Sequence, residues 1–307
     1  MTKLKIALFI DHTTSKHFVE TLLAIDSIHI IGYGGMERDL IDLKYWDEAG
    51  ALIEASDAVV MSVIPTQQFE LAKFCLKNLK HLYIEKPYTS NIDEAESLLS
   101  MQREAAVLVQ LGAGLRLNAA YMAANLAQFK PQYIEATHLK MNSGHQSVVL
   151  DLLIQDIDLV LQLTKSEVRR ISANAVCIAN DTPDLVNVRI EFGNGSVANL
   201  TANRLADKNE HHLGAFQKNA FSTIDFLAPD VSSIPESAYK IALPSKPEPS
   251  VDLLTESEIA IHRQNLVSFF KSIETNQTPI VTLQDGYRAL KLAYQIIDQI
   301  EERGLEN

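Results

Sequence analysis

Short apolar runs alternate with segments of helical periodicity along the first third of the chain. The apolar runs cover residues 5–10, 29–33, 58–63, 82–84 and 107–111, and the helical segments between them cover 15–25, 47–55, 67–79 and 93–104. Strands that alternate with helices are joined by right-handed crossovers and form a parallel sheet. The pattern therefore predicts a Rossmann-type domain over residues 1–115, with a doubly wound parallel sheet.

The pattern changes in the second part of the chain, where strands follow one another without intervening helices. Helices are predicted over 118–128 and 149–164, and strands over 133–141, 170–178, 187–191 and 196–202. Asn194-Gly195 is a hairpin signal between the last two strands, so the sheet is expected to be antiparallel. Five prolines between 228 and 250 predict an extended excursion, and two helices, 256–274 and 285–302, close a second α/β domain over 116–307.

Composition narrows the class of protein. Nearly half of the 307 residues are apolar, which suffices for a sizeable core, and the net charge of −12 with scattered Lys and Arg argues against a nucleic-acid surface. The N-terminal apolar run is too short for a signal sequence and no run reaches membrane-spanning length, so we expect a cytoplasmic protein with no membrane partner. Cys75 and Cys177 are spaced for neither a zinc site nor a disulfide framework.

The tripeptide Glu85-Lys86-Pro87 directly follows the apolar run at 82–84. The carboxyl end of a strand in an open α/β sheet is where ligands bind, which makes the Lys86 amine a candidate for chemistry. A solvated turn is the alternative interpretation of a Lys-Pro pair in this position.

Four motifs together resemble the Gfo/Idh/MocA oxidoreductase family, in order and spacing over almost the whole chain. They are Glu85-Lys86-Pro87, Asp151-Leu152-Leu153-Ile154-Gln155-Asp156-Ile157-Asp158, Asn194-Gly195-Ser196-Val197-Ala198-Asn199-Leu200 and Asp285-Gly286-Tyr287-Arg288-Ala289-Leu290. Within the family, the run from Ser147 to Val160, with Asn199-Leu200-Thr201-Ala202, is most similar to the UDP-N-acetylglucosamine 3-dehydrogenase branch.

The resemblance implies a Rossmann domain followed by an α/β domain with a large, mostly antiparallel sheet that often mediates oligomerisation. It implies NAD or NADP as cofactor, a sugar or nucleotide sugar as substrate, and a homo-oligomer formed through the C-terminal sheet. Lys86 would be a catalytic lysine near the nicotinamide, and Asp151 and Gln155 would form the second catalytic pair. Residues four apart on a helix share one face, so both can point to the same site.

Gln155 departs from the family, in which most members carry the histidine that takes the hydroxyl proton. A carboxamide can orient a hydroxyl group but cannot accept its proton. If hydride transfer is retained, either a neutral Lys86 or Asp151 acting through a water must accept the proton, and Gln155 contacts the substrate. A structural role for Asp151, in capping or solvating a helix, is the other interpretation.

The cofactor fingerprint also departs from the family. Ile10, His12 and Ser15 occupy the three positions at which the family has glycine, and Gly34-Gly35 stands near the place of the acid that holds the ribose. An ordinary turn is the simpler explanation of the glycine pair. The first loop can still offer hydroxyl and N–H groups at a helix start, although an ordinary N-cap is the alternative. The predicted cofactor contacts are Asp11, His12, Thr13, Thr14, Pro65, Thr66, Glu85 and Lys86.

For the substrate, the resemblance adds Arg116 and Asn118, which stand where a family segment carries the same residue types. His145 is a further candidate because it precedes the helix of Asp151, and Gln155 completes the predicted substrate contacts. His211-His212 lacks a metal-ligand pattern and is expected on the surface of a strand or loop, so no metal site is predicted.

Two functions follow from these residues. The first is an NAD(P)-dependent oxidoreductase that acts on a hydroxyl of a sugar or nucleotide sugar by hydride transfer. The alternative is a catalytically inactive family member that binds a sugar nucleotide or a protein partner, because the fingerprint glycines, the ribose acid and the histidine base are all replaced.

Overall fold

The structure, a computed structural model, describes residues 3–11, 14, 16–35, 38, 41–85, 91–112, 114–141, 147–227, 231–234 and 251–304. Within these ranges only the backbone is described for 65–66, 231–234, 251–260 and 303–304. The chain forms two compact units, one of Met1–Gly114 with Glu258–Tyr287 and the other of Leu115–Ser257 with Arg288–Asn307. None of the helices in the described ranges combines the length and apolar character needed to cross a membrane.

The first unit contains a five-stranded parallel sheet with helices between its strands. Its elements are β1 (Leu4–Ile10), α1 (Lys16–Leu23), β2 (Ile28–Gly34), α2 (Ala49–Ala55), β3 (Ala58–Ser62), α3 (Pro65–Lys77), β4 (His81–Ile84), α4 (Ile92–Ala105) and β5 (Val109–Leu111). The strand order is β2-β1-β3-β4-β5 and every neighbouring pair is parallel. This is the doubly wound fold expected from the alternating pattern.

Apolar side chains on the strands explain why this sheet forms. Strand β1 is buried along most of its length, as a parallel strand covered on both faces must be. Phe18 and Leu22 of α1 pack into the same core as Ile6 and Leu8. The long helix α7 (Val251–Thr275) contributes Phe269, which is fully buried there. Burial of these groups is the main favourable term for the unit.

The second unit is built on a seven-stranded sheet. Its elements are α5 (Ala119–Ala124), β6 (Tyr133–Met141), α6 (Ile154–Thr164), β7 (Val168–Val176), β8 (Leu185–Phe192), β9 (Val197–Asn203), β10 (Leu205–Gln217), β11 (Ala220–Asp225), β12 (Val231–Ile234) and part of α8 (Leu283–Gly304). The order is β12-β11-β10-β6-β9-β8-β7, with β6 and β9 the one parallel pair. The expected large, mostly antiparallel sheet is therefore confirmed. Helix α6 packs its apolar face against this sheet.

The division into units differs from the predicted boundary in one respect. The first change of unit falls after Gly114, close to the predicted residue 115, but Glu258–Tyr287 joins the first unit rather than the second. This return of the chain is explained by long-range contacts: Leu111 N–H donates to the Val281 carbonyl at 3.0 Å, and the Gln110 amide donates to the Asn265 carbonyl at 2.8 Å. Much of the predicted excursion, 228–230 and 235–250, lies outside the described residues.

Candidate active-site residues

The carboxyl edge of the first sheet has a switch point between β1 and β3. Strand β2 lies on one side of β1 and β3 on the other, so the winding direction of the sheet reverses there. In open α/β sheets a ligand binds in the crevice at this position. Asp11 directly follows β1, and β3 ends at Ser62 and is followed by Val63 and Ile64, so both strand ends border the crevice.

Asp11 and Thr14 fasten the first loop across this switch point. The Asp11 side chain is almost fully buried, and its Oδ2 accepts a hydrogen bond from the Ile64 N–H at 2.7 Å. The Thr14 hydroxyl donates to the Ser62 carbonyl at 2.6 Å, and the Asp11 N–H approaches the same hydroxyl oxygen at 3.2 Å. These contacts use donors that a phosphate would otherwise bind. His12 and Thr13 lie outside the described residues.

Gly35, which the sequence analysis explained as part of an ordinary turn, is also required at this edge by its backbone conformation and its close neighbour. Its φ is +146°, a backbone conformation that L side chains rarely adopt, and a Cβ would lie 2.7 Å from the Ile10 carbonyl oxygen. Any residue with a side chain is therefore unfavourable at position 35, because β1 approaches the backbone too closely there. This constraint acts in addition to the turn.

Glu85 directly follows β4 and is held on several sides. Its Oε2 accepts a hydrogen bond from the Tyr83 hydroxyl at 2.8 Å and lies 3.6 Å from His262 Nδ1, and its carbonyl lies 3.4 Å from the Gln68 amide nitrogen. Complete burial, and secondarily the negative charge of Glu85, raise the pKa of Tyr83 well above its ordinary value, so the phenol stays a donor. Gly112 leaves room for this carboxylate, because a Cβ there would lie 2.5 Å from Glu85 Oε1.

The neighbours of Glu85 in the predicted cofactor set are described only in part. Lys86 lies outside the described residues. Pro65 and Thr66 form the first turn of α3, at the carboxyl end of β3. At this edge Asp11 and Glu85 supply carboxylate oxygens, the type of acceptor that binds ribose hydroxyls, and each already accepts a hydrogen bond within the unit.

In the second unit, Asp151 lies in a π-helical turn, Val149–Leu153, directly before α6. Gln155 is in the first turn of α6, and its amide nitrogen lies 3.3 Å from the Asp151 carbonyl oxygen. Both side chains are partly buried. The predicted pair is therefore adjacent in the structure. Single π-helical turns are rare and occur frequently at functional sites.

Arg116 and Asn118, two predicted substrate contacts, stabilise the second unit through an ion pair and a helix cap. Arg116 forms an ion pair with Asp158 of α6, and its side chain is only 5% exposed. Asn118 caps α5, because its Oδ1 accepts from the Ala120 N–H at 2.9 Å, and its amide nitrogen donates to the Phe226 carbonyl at 3.2 Å. His145, the other loop candidate, lies outside the described residues.

One group of side chains was missed by the sequence interpretation. His211, expected on the surface, is buried and contacts Asp156 of α6 and His138 of β6. No spacing rule identifies such a group, because its members come from three elements far apart in the chain. The alternation of β10 was the available signal, since it places the side chains of His211 and His212 on opposite faces of the sheet.

Comparison with known proteins assigns the class. Residues 29–113 match the model of the oxidoreductase family with an NAD-binding Rossmann fold, and residues 110–218 match the GFO/IDH/MocA C-terminal domain. The chain belongs to the Gfo/Idh/MocA oxidoreductase family, as the four motifs predicted. The first match begins after β1 and the first loop, the part of the chain in which the glycine fingerprint is replaced.

Individual relatives agree with this assignment. UDP-N-acetylglucosamine 3-dehydrogenase from Acidithiobacillus ferrooxidans is 28% identical over 256 residues, 82% of this chain and 81% of that protein. Its solved structure superposes with a TM-score of 0.84 over 98% of this chain and 99% of that chain, with 22% of the superposed residues identical. Myo-inositol 2-dehydrogenase from Thermotoga maritima is 22% identical over 92% of this chain and 89% of that protein.

Proposed function

We propose that this protein is an NAD(P)-dependent dehydrogenase that acts on a hydroxyl group of a nucleotide sugar. The observation that carries the proposal is the π-helical turn Val149–Leu153, which holds Asp151 one helical turn before Gln155, the pair that the resemblance to the family implies at the substrate. Family membership supports hydride transfer, and the relatives named as dehydrogenases give no support to the inactive alternative.

The first unit would bind the cofactor at its switch point. Asp11 and Glu85 would accept hydrogen bonds from ribose hydroxyls, and the remaining contacts would come from 12–14, 65–66 and Lys86. The bound nicotinamide supplies the hydride acceptor. Because Ile64 and Thr14 already donate to the chain, this edge would hold the phosphates less firmly than a glycine-rich loop does. Both NAD and NADP are candidates for the cofactor, and both are included in the test below.

The second unit would bind the substrate. The Gln155 amide would orient the reacting hydroxyl by hydrogen bonding, and the proton would pass to a neutral Lys86 amine or to Asp151 through a water. His145 would add a contact from its loop. Arg116 and Asn118 would keep the ion pair and the helix cap that they form in the structure, and would shape the substrate region by holding its backbone in place. A homo-oligomer formed through the sheet and a cytoplasmic location remain predictions.

The experiment is a titration followed by an activity screen. NADH and NADPH are titrated by nicotinamide fluorescence, and oxidation of UDP-N-acetylglucosamine, UDP-glucose and myo-inositol is then followed by the absorbance of the reduced cofactor. We expect saturable binding and turnover of a UDP-sugar. Lys86→Ala and Asp151→Asn should lower kcat by at least about a hundredfold, as expected for removing a proton-transfer group.

The control is Asp181→Asn, which changes an exposed carboxylate in the same unit as Asp151 and should leave kcat unchanged. Absence of saturable binding of either cofactor would contradict the proposal. Turnover of myo-inositol but of no UDP-sugar would support the dehydrogenase activity and contradict the proposal of a nucleotide-sugar substrate.

A further inference from the structure

A buried group of two imidazoles and a carboxylate lies in the second unit. His138 of β6 and His211 of β10 are direct partners in the antiparallel register, and their rings stack with centroids 3.8 Å apart. Asp156 of α6 faces both rings, and one ligand atom from each residue lies within 4.8 Å of the others. The Asp156 side chain is fully buried, and those of His211 and His138 are 5% and 12% exposed.

Only one side of the Asp156 carboxylate is satisfied. His211 Nε2 lies 2.8 Å from Asp156 Oδ1, the length of a hydrogen bond. On the other side, His138 Nδ1 lies 3.9 Å from Asp156 Oδ2, and neither atom has a hydrogen-bond partner among the described residues. Leaving two such atoms buried and unbonded is unfavourable, so this gap requires an explanation.

The state of His138 makes the gap suitable for a cation. Its Nδ1 has no hydrogen-bond partner among the described residues, and the neutral imidazole can carry its proton on Nε2 instead. Nδ1 then carries a lone pair that faces a carboxylate oxygen. A neutral imidazole whose lone pair is unoccupied in this way is able to act as a metal ligand.

The 3.9 Å separation can accommodate a bridging metal ion after a small movement of the side chains. It is too long for a hydrogen bond, and zinc bonds of about 2.0–2.2 Å at a tetrahedral angle put two ligand atoms about 3.4 Å apart, so the two side chains must approach by roughly half an ångström. The two rings are 14° apart, and nearly parallel rings cannot both contain one ion in their planes. The His211 ring must therefore turn about its Cβ–Cγ bond, which frees Nε2 from Asp156 to become the third ligand.

We propose that His138, Asp156 and His211 bind one zinc ion that joins α6 to strands β6 and β10. Two imidazoles and a carboxylate form a ligand set suited to zinc, with a water as the fourth ligand on the partly exposed side of His138. The ion would fix the start of α6, which carries Gln155 next to Asp156.

The test uses untagged full-length protein freed of metal by dialysis against a chelator. Zinc is titrated by calorimetry, melting temperature is measured with and without zinc, and cobalt is added separately to record its visible spectrum. The variants are His138→Gln, His211→Gln and the control His212→Gln, which changes the next residue of β10, whose side chain is 44% exposed. Circular dichroism of each metal-free variant checks its fold.

We expect the wild type and His212→Gln to bind one zinc per chain, with a rise in melting temperature and a tetrahedral cobalt spectrum. His138→Gln and His211→Gln should each bind zinc at least about tenfold more weakly, since each lacks a ligand. Absence of saturable zinc binding by the folded wild type would overturn the proposal and leave the group as a hydrogen-bond network. Equal zinc affinity in the wild type and in either folded ligand variant would also overturn it.

Discussion

Arg116 and Asp158 form a bidentate ion pair, with Arg116 Nε 2.8 Å from Asp158 Oδ2 and Arg116 Nη2 2.6 Å from Asp158 Oδ1. The paired planar groups give this contact both strength and a fixed orientation. The pair ties the segment that follows β5 to helix α6, three residues beyond Gln155. A residue expected to contact substrate therefore also holds the helix that carries the candidate site.

Asp158→Asn should lower the free energy of unfolding by about 3 kcal/mol, because breaking a shielded ion pair leaves the Arg116 charge uncompensated. Denaturant unfolding measures the change. Glu70→Gln is the matched control, since the Lys73–Glu70 pair is exposed and should contribute less than about 1 kcal/mol. Equal effects of the two substitutions would show that the Arg116 pair has no special role in stability.

Gly112→Ala should disturb the Glu85 carboxylate, because the added Cβ would lie 2.5 Å from Oε1. We expect a loss of about 1–3 kcal/mol in stability and weaker NADH binding, as Glu85 is displaced from its contact with Tyr83. Thermal unfolding and NADH fluorescence measure the two effects. Gly193→Ala serves as control because a Cβ there meets ordinary contacts at 3.6 Å or more. Unchanged NADH affinity in Gly112→Ala would show that Glu85 does not contribute to cofactor binding.

His81 should make stability depend on pH near neutrality. Its Nδ1 accepts a hydrogen bond from the Leu108 N–H at 3.1 Å, and burial lowers its pKa below the ordinary 6.5. As pH falls below 6.5, the unfolded chain gains a proton at His81 that the folded chain does not, so the free energy of unfolding decreases. The stabilising difference is complete above 6.5 and is lost as pH approaches the folded pKa.

His81→Asn keeps an acceptor at this position but does not titrate. Between about pH 8 and pH 5, the wild type should therefore lose more stability than the variant, measured as melting temperature across a pH series. Parallel curves for the two proteins would contradict the assignment of this pH dependence to His81.

Local signals predicted much of the fold. Asn91 caps α4 by accepting a hydrogen bond from the Asp93 N–H, and Gly195 adopts a φ of +87° in the hairpin between β8 and β9. Both are short-range effects of residue type, which a sequence records directly. The predicted helix over 118–128 is instead α5 followed by a 3₁₀ turn, because Asn125 takes a left-handed conformation that ends the first helix.

Long-range pairing was harder to predict. The first half of strand β10 is polar and its register is irregular between Leu205 and Glu210, so the alternation starts only at about His211 and the strand was missed in the sequence. The same reason explains the missed side-chain group: His138 and His211 meet only because β6 and β10 pair. By contrast, the spacing of Asp151 and Gln155 in the sequence already puts them one helical turn apart, because neighbours on one helix are set by local geometry, and their joint role at a site stays a prediction.

Gln155→His should restore a proton acceptor at the position where most of the family has histidine. If the proposed dehydrogenase activity is slow for lack of this base, kcat should rise at least about tenfold and follow a titration with a pKa near that of histidine. Steady-state rates across pH measure this. Gln128→His adds a histidine at an exposed position of the same unit and should change nothing. An unchanged or lower kcat in Gln155→His would indicate that Lys86 or Asp151 already performs the proton transfer.

Asp184 should anchor the loop between β7 and β8. Its carboxylate accepts hydrogen bonds from the Asn180 side chain at 2.6 Å, from the Ile178 and Ala179 N–H groups at 2.7 Å, and from Arg204 Nε at 2.9 Å. The Asn180 and main-chain hydrogen bonds hold its pKa well below the ordinary value, so the stabilisation is complete above about pH 4 and is lost as pH falls toward the folded pKa. Asp184→Asn retains one acceptor oxygen and loses the charge that Arg204 requires, so its melting temperature at neutral pH should fall by several degrees. Asp181→Asn is the control, because it changes an exposed carboxylate in the same loop and should have the melting temperature of the wild type. A similar fall in melting temperature in both variants would refute the anchoring role of Asp184.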